Sequence, residues 1–248
     1  MVQLIYMLRL LYNKRKVNKK TSIMKRLLLF ILPFIVLSAC LKEKEEPIII
    51  EPPVQLLLDS DTLVAGEKWG LTIGESTEAL YPKIKELQFA KPITYLGIVG
   101  NVFTGIDGLE STIPLYQSVF LDETKGTSSG IQISFSDDKV NSIYTNEGKS
   151  LTKWPSNTNA NATILKGDQI DKIYGKLANI SKISSYAKKF ERVSIFSKDV
   201  AKDYDPYMSL SSHWEFYASM DEKKHYEVSL DFKEGKLISI AYRLYQTM

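Results

Sequence analysis

Gly74-Glu75-Ser76-Thr77-Glu78-Ala79-Leu80-Tyr81-Pro82-Lys83-Ile84 aligns without a gap on Gly167-Asp168-Gln169-Ile170-Asp171-Lys172-Ile173-Tyr174-Gly175-Lys176-Leu177. Gly, Tyr and Lys are identical, and acids and aliphatics match in kind, at an offset of 93 residues. A second pair of blocks follows at an offset of 97: Ile131-Gln132-Ile133-Ser134-Phe135 on Val228-Ser229-Leu230-Asp231-Phe232, and Lys139-Val140-Asn141-Ser142-Ile143 on Lys236-Leu237-Ile238-Ser239-Ile240. At that offset Leu96, Ile98 and Val99 fall on Val193, Ile195 and Phe196, so the four inserted residues lie between the first helix and the first strand. Two blocks in one order with one small insertion point to an internal duplication.

Each copy has a readable plan. Ser76 or Thr77 can cap a helix, and the nearby acids favour its positive end. Leu80, Ile84 and Leu87 make one apolar face, as do Ile170, Ile173 and Leu177. Pro82 and Gly175 share one site and both weaken a helix interior, which predicts a short or bent helix. Ile131, Ile133 and Phe135 alternate with polar residues, as do Val228, Leu230 and Phe232. Ser136-Asp137-Asp138-Lys139 and Lys233-Glu234-Gly235-Lys236 read as tight turns between antiparallel strands. Ser118 to Leu121 and Trp214 to Ala218 supply a further strand each. The expectation is an α+β fold of two tandem repeats, each a short helical segment packed on about four antiparallel strands. The first repeat is placed at residues 66–155 and the second at 156–248.

This plan resembles the tandem α+β repeat of the β-lactamase inhibitor protein fold, and the related small lipoprotein of the outer-membrane β-barrel assembly machinery. The lead-ins Leu71-Thr72-Ile73-Gly74 and Ile164-Leu165-Lys166-Gly167 and the Phe-turn-Lys strand pairs carry the resemblance, over roughly residues 68–248. It implies a fold, not an activity, because members of a fold bind different partners. The inhibitor's disulfides have no counterpart, since Cys40 is the single cysteine.

Upstream, residues 24–40 read MKRLLLFILPFIVLSAC. Lys25 and Arg26 precede an apolar run, Leu27 to Leu37, that is too short to span a bilayer. Leu37, Ser38 and Ala39 then form a lipobox before Cys40. The expectation is a bacterial lipoprotein: signal peptide 1–39 with translation starting at Met24, lipidation of Cys40 (by palmitate among other acyl chains), and a flexible tether over residues 40–65. The acidic stretch Glu43 to Glu46 resembles the surface-export signals of Bacteroidetes lipoproteins. Leu41 stands where an inner-membrane retention signal would have Asp. These features place the protein at the outer membrane by a lipid anchor, on its periplasmic or its outward face. Asp61-Thr62-Leu63 resembles an O-glycosylation triplet of the same bacteria.

The charge balance changes with cleavage. The whole chain carries +3, and loss of the eight basic residues of the leader leaves −5. Nucleic-acid binding thereby loses its electrostatic motive.

No residue pattern specifies catalysis, a metal or a cofactor. Gly126-Thr127-Ser128-Ser129-Gly130 matches G-x-S-x-G, but a nucleophile elbow needs a helix after the serine, and a strand follows here. His213 and His225 lack metal spacing. His213 is expected at a strand start and His225 in a solvated hairpin loop. Asp203-Tyr204-Asp205 and Asp137-Asp138 are expected as solvated turns. Tyr204 and Tyr207 lie in a loop crowded with Tyr, Met, His and Trp, and are the candidate partner contacts. The expected function is a non-enzymatic binding or scaffolding module of the cell envelope, acting through its sheet face or loops on a protein or glycan. An assembly factor for outer-membrane proteins is the alternative, and a hydrolase the third class.

Overall fold

The computed structural model describes residues 54–248. Met24, the lipobox residues Leu37, Ser38 and Ala39, and Cys40 lie outside them. Along the chain come β1 (Gln55–Leu63), the two-residue strands β2 (Glu67–Lys68) and β3 (Leu71–Thr72), and α1 (Thr77–Ala90). Then follow β4 (Ile93–Val99), β5 (Val102–Phe103), β6 (Ser118–Asp122), β7 (Ile131–Ser136), β8 (Lys139–Thr145) and β9 (Ser150–Leu151). After β10 (Lys153–Trp154) and β11 (Ile164–Leu165) comes α2 (Ile173–Ser181), then β12 (Arg192–Ser194), β13 (Ser197–Lys198), β14 (His213–Ser219), β15 (Lys224–Lys233) and β16 (Lys236–Thr247).

The strands build two six-stranded antiparallel sheets. The first has the order β1-β16-β15-β14-β4-β13 and the second β5-β12-β6-β7-β8-β9. The expected α+β plan of two helix-on-strand repeats is overturned. Strands dominate, the described residues hold two α-helices, and the two halves of the sequence exchange elements. β4 comes from the first half but pairs with β14 of the second. β12 comes from the second half but pairs with β6 of the first. The cause is a pairing that a local pattern cannot reveal. The crossing segments 96–103 and 193–198 run antiparallel to each other, with Ser197 opposite Gly97 and Val193 opposite Phe103. Ile98 N–H donates to the Phe196 carbonyl and Ile195 N–H to that of Asn101, which carries the pairing across the gap between the sheets.

The helix lead-ins cross over too. Gly74 N–H donates to the Leu237 carbonyl and Leu237 N–H to that of Glu75. At the aligned residues, Gly167 N–H donates to Val140 and Val140 N–H to Asp168. Each lead-in therefore attaches to a strand from the other half. Both glycines have positive φ, 94° and 92°, which a β-carbon would disfavour.

Ser76 caps α1 by accepting from Ala79 N–H. The helix continues through Pro82 for 14 residues, so the expected shortening fails there. α2 is short, nine residues after a 3-10 turn at Ile170–Lys172. The β7–β8 and β15–β16 hairpins have left-handed turn residues, Asp137-Asp138 and Glu234-Gly235, as two-residue hairpin turns require. β1 corrects the tether: residues 55–63 are strand, paired along β16 with a bulge between Leu57 and Asp59. Its side chains are exposed on both faces, so it carries no period-two signal. A single core lies under both sheets and includes Leu80, Ile84, Ile133, Phe135, Leu177, Trp214, Phe216, Leu230 and Phe232.

Candidate interaction face

Alternation fixes which residues of the first sheet look outward. Trp214, Phe216 and Ala218 of β14 are fully buried. Glu215 and Tyr217 between them therefore face the other way. The register sets Tyr95 opposite Tyr217 and His225 opposite Tyr245. A row of rings results across the outer face. Centroid separations are 5.3 Å for Phe196–Tyr95, 6.3 Å for Tyr95–Tyr217, 5.8 Å for Tyr217–His225 and 5.7 Å for His225–Tyr245. His225 is thus a stacked strand residue, not the solvated loop residue expected.

Gly97 makes room for the row. A β-carbon there would meet Tyr95 Oη at 2.8 Å and Phe196 Cζ and Glu215 Cγ at 2.9 Å each. The row is bordered by charge. Glu215 lies beside it, and Arg243 Nη1 is 3.9 Å from Glu227 Oε2. Burial pushes the Tyr95 phenol up to about 12, and Glu215 adds to the shift. Tyr217 is also raised, by burial first and by Glu227 and Glu215 after it. At the strand start, His213 Nδ1 lies 2.7 Å from Asp231 Oδ1, and Ser239 donates to Asp231 Oδ2 at 2.7 Å. Burial pushes the Asp231 carboxyl up, but these hydrogen bonds outweigh it and hold it below the usual range. Two shallow clefts open on this sheet: about 330 Å³ between Ser60, Thr62, Glu227 and Arg243, and about 320 Å³ between Tyr217, His225 and Lys224.

A second polar cluster lies inside. Lys198 is buried and donates to Tyr81 Oη and to the Asp199 carbonyl, both at 2.8 Å. Desolvation pulls its ammonium down to about 8, against the pull of Asp199 and Asp205. Tyr116 donates to Asp205 Oδ2 at 2.7 Å and accepts from Asn101 Nδ2 at 2.9 Å. Burial raises the Tyr116 phenol far above its ordinary value, and Asp205 adds to the rise. An amine held near 8 could act as a nucleophile, but only 1% of Lys198 is exposed. Its role here is to satisfy buried oxygens. Asp205, expected in a solvated turn, is buried.

Tyr204 and Tyr207, the loop contacts expected from sequence, are half-buried against the core. The Tyr204 hydroxyl bonds that of Thr77 at 2.9 Å, and Tyr207 packs on Phe103 at 5.2 Å. They do not join the row of rings. Ser128 lies exposed in its loop, as a hairpin connection would place it. Lys189 donates to neighbouring Ser129 Oγ at 2.7 Å, but also to Thr127 Oγ1 at 2.9 Å and Glu123 Oε1 at 3.1 Å. Its three ammonium protons are thereby used, and no lone pair faces Ser129 to take a proton. Among the described residues, no group of three or more His, Cys, Asp and Glu gathers around a metal position.

The row of rings was partly legible. Tyr217 sits at the outward place beside inward Trp214 and Phe216. The partners Tyr95, His225 and Tyr245 come from three other strands and Phe196 from the link between β12 and β13, and only the register brings them together. Among known proteins, no family model, no curated sequence and no solved structure matches the chain.

Proposed function

We propose that this chain is a lipid-anchored protein of the bacterial outer membrane that works by binding, not catalysis, through the outer face of the first sheet. The row of five rings from Phe196 to Tyr245 carries the binding part. Aromatic rings held in place by their neighbours offer large contact area at small entropy cost, and anchor residues of protein interfaces are rich in Tyr for that reason. The partner is a protein segment. Neighbouring rings are tilted by 42° to 50° over most of the row, which gives apolar side chains slots to enter instead of the flat platform a sugar ring favours. Glu215 and Glu227 suit N–H donors or a basic side chain at the border. The anchor part rests on the sequence Leu37-Ser38-Ala39-Cys40.

Affinity capture from native envelope membranes tests the face. Tyr217→Ala should lower recovery of the partner more than tenfold, while Tyr144→Ala, on the outer face of the second sheet, should leave it intact. Equal recovery by both variants would reject the face. Labelled palmitate tests the anchor: it should enter the parent and not Cys40→Ser.

A further inference from the structure

One end of the first sheet is apolar and exposed. β1 begins there, and Met248 N–H donates to the Val54 carbonyl while Thr247 N–H donates to that of Lys223. The hairpin tip at Met220 therefore sits at the same end as the start of β1. Of the fifteen large apolar side chains exposed among the described residues, six belong here: Val54, Leu56, Leu57, Leu58, Met220 and Met248. Leu58 falls at the bulge, where the register with β16 slips. Soluble surfaces scatter such residues singly, so a cluster of six marks a contact.

We propose that this end of the sheet docks on the lipid surface, inserting Leu57 and its neighbours at the headgroup boundary. The inference rests on the anchored reading above. Thirteen residues separate Cys40 from Val54. At about 3.4 Å per residue they reach at most about 45 Å, so an anchored chain holds this end near the bilayer. Confinement turns weak insertion into stable docking, because the second contact becomes intramolecular. The apolar cluster sits where the connecting chain arrives, not at the far end near Leu210. Docking would orient the sheet with β1 toward the membrane; Leu57 lies opposite Tyr245, so the β16 end of the row would meet the headgroups and its Phe196 end would face away for a partner.

The test uses full-length lipidated protein in vesicles of phosphatidylethanolamine and phosphatidylglycerol. Acylation occupies Cys40, so an introduced cysteine is the one free thiol. A polarity-sensitive fluorophore is attached at Leu57→Cys, and in a second protein at Leu210→Cys, which is 78% exposed at the opposite end. Nitroxide-labelled lipid should quench the Leu57 site several-fold more than the Leu210 site. Equal quenching at both sites on protein that floats with the vesicles overturns the docking and leaves the anchor standing. Protein that fails to float and lacks acyl mass at Cys40 overturns both. A fluorescence change at Leu57 without lipid quenching, accompanied by disulfide-linked dimers of the unlabelled Leu57→Cys protein, overturns the docking in favour of a second copy paired along β1.

Discussion

Asp122 and Tyr217 occupy corresponding places in the two sheets. Each looks outward from a central strand: Asp122 lies opposite Arg192, and Tyr217 opposite Tyr95. Their neighbours differ completely. Asp122 is turned to structural use. It accepts from Thr127 N–H at 2.9 Å, from Thr127 Oγ1 at 2.8 Å and from Asn146 Nδ2 at 2.7 Å, and so ties the loop of Ser128 to the sheet. Burial pushes its carboxyl up, but the Thr127 hydrogen bonds win and hold it below the ordinary range. Tyr217 stays 40% exposed among other rings. At this place the second sheet is closed by its own hydrogen bonds, and the first is left available. A residue whose polar atoms are all used within the fold stabilises it; one that keeps its surface free can serve a partner.

Core substitutions should show the largest effects and treat the two sheets alike. Phe135 and Phe232 are buried at the same place, each beside a register shift in its hairpin. Phe135→Ala and Phe232→Ala should each cost about 3–5 kcal/mol in urea unfolding. Phe232 should lie at the upper end, because its ring also packs 4.7 Å from Trp214. A loss at one position and none at the other would break the correspondence.

The buried amine comes next. Its folded pKa is lowered to about 8, so between pH 8 and about 10 the unfolded chain binds more protons than the folded one. Stability should therefore rise with pH across that window, by roughly 2 kcal/mol. Above it, the raised Tyr81 and Tyr116 phenols reverse the trend, because the folded chain then holds protons that the unfolded chain loses. Urea titrations of Lys198→Met should lack the rise. A parent curve that falls steadily from pH 8 would contradict the assignment.

Asp122 and Tyr217 can then be compared directly. Asp122→Ala leaves part-buried donors unpaired and should cost about 1–3 kcal/mol. Tyr217→Ala should change stability by less than about 1 kcal/mol, as exposed positions do. Reversed magnitudes would mean that the ring holds the sheet and the carboxylate does not. Smallest of all, Ser128→Ala should shift the melting temperature negligibly and remove no activity. A hydrolysis performed by the parent and abolished by Ser128→Ala would overturn the binding reading.

Much of the strand structure could be read from the chain, because period-two alternation and turn residues act locally. Ile131 to Ile143 and Val228 to Ile240 form the hairpins their patterns indicate. The exchange between halves was not readable. Leu96 to Phe103 fits either sheet by local pattern, and only its pairing with Val193 to Lys198 decides. β1 was hidden because an edge strand with both faces in water shows no alternation. Asp205 looked like a turn residue because its partner Tyr116 is 89 positions away. The row of rings was only partly visible for the same reason: the pattern of β14 shows Tyr217 outward, and register alone brings the other rings to it.

The central claim is that the first sheet, not the second, presents the contact surface. Site-specific photocrosslinking in living cells tests it most directly. A photoreactive amino acid at Tyr217 should capture one partner of discrete mass, and the same probe at Tyr144, which is 39% exposed on the other sheet, should capture none. A partner captured from Tyr144 alone, or equally from both positions, would contradict the account.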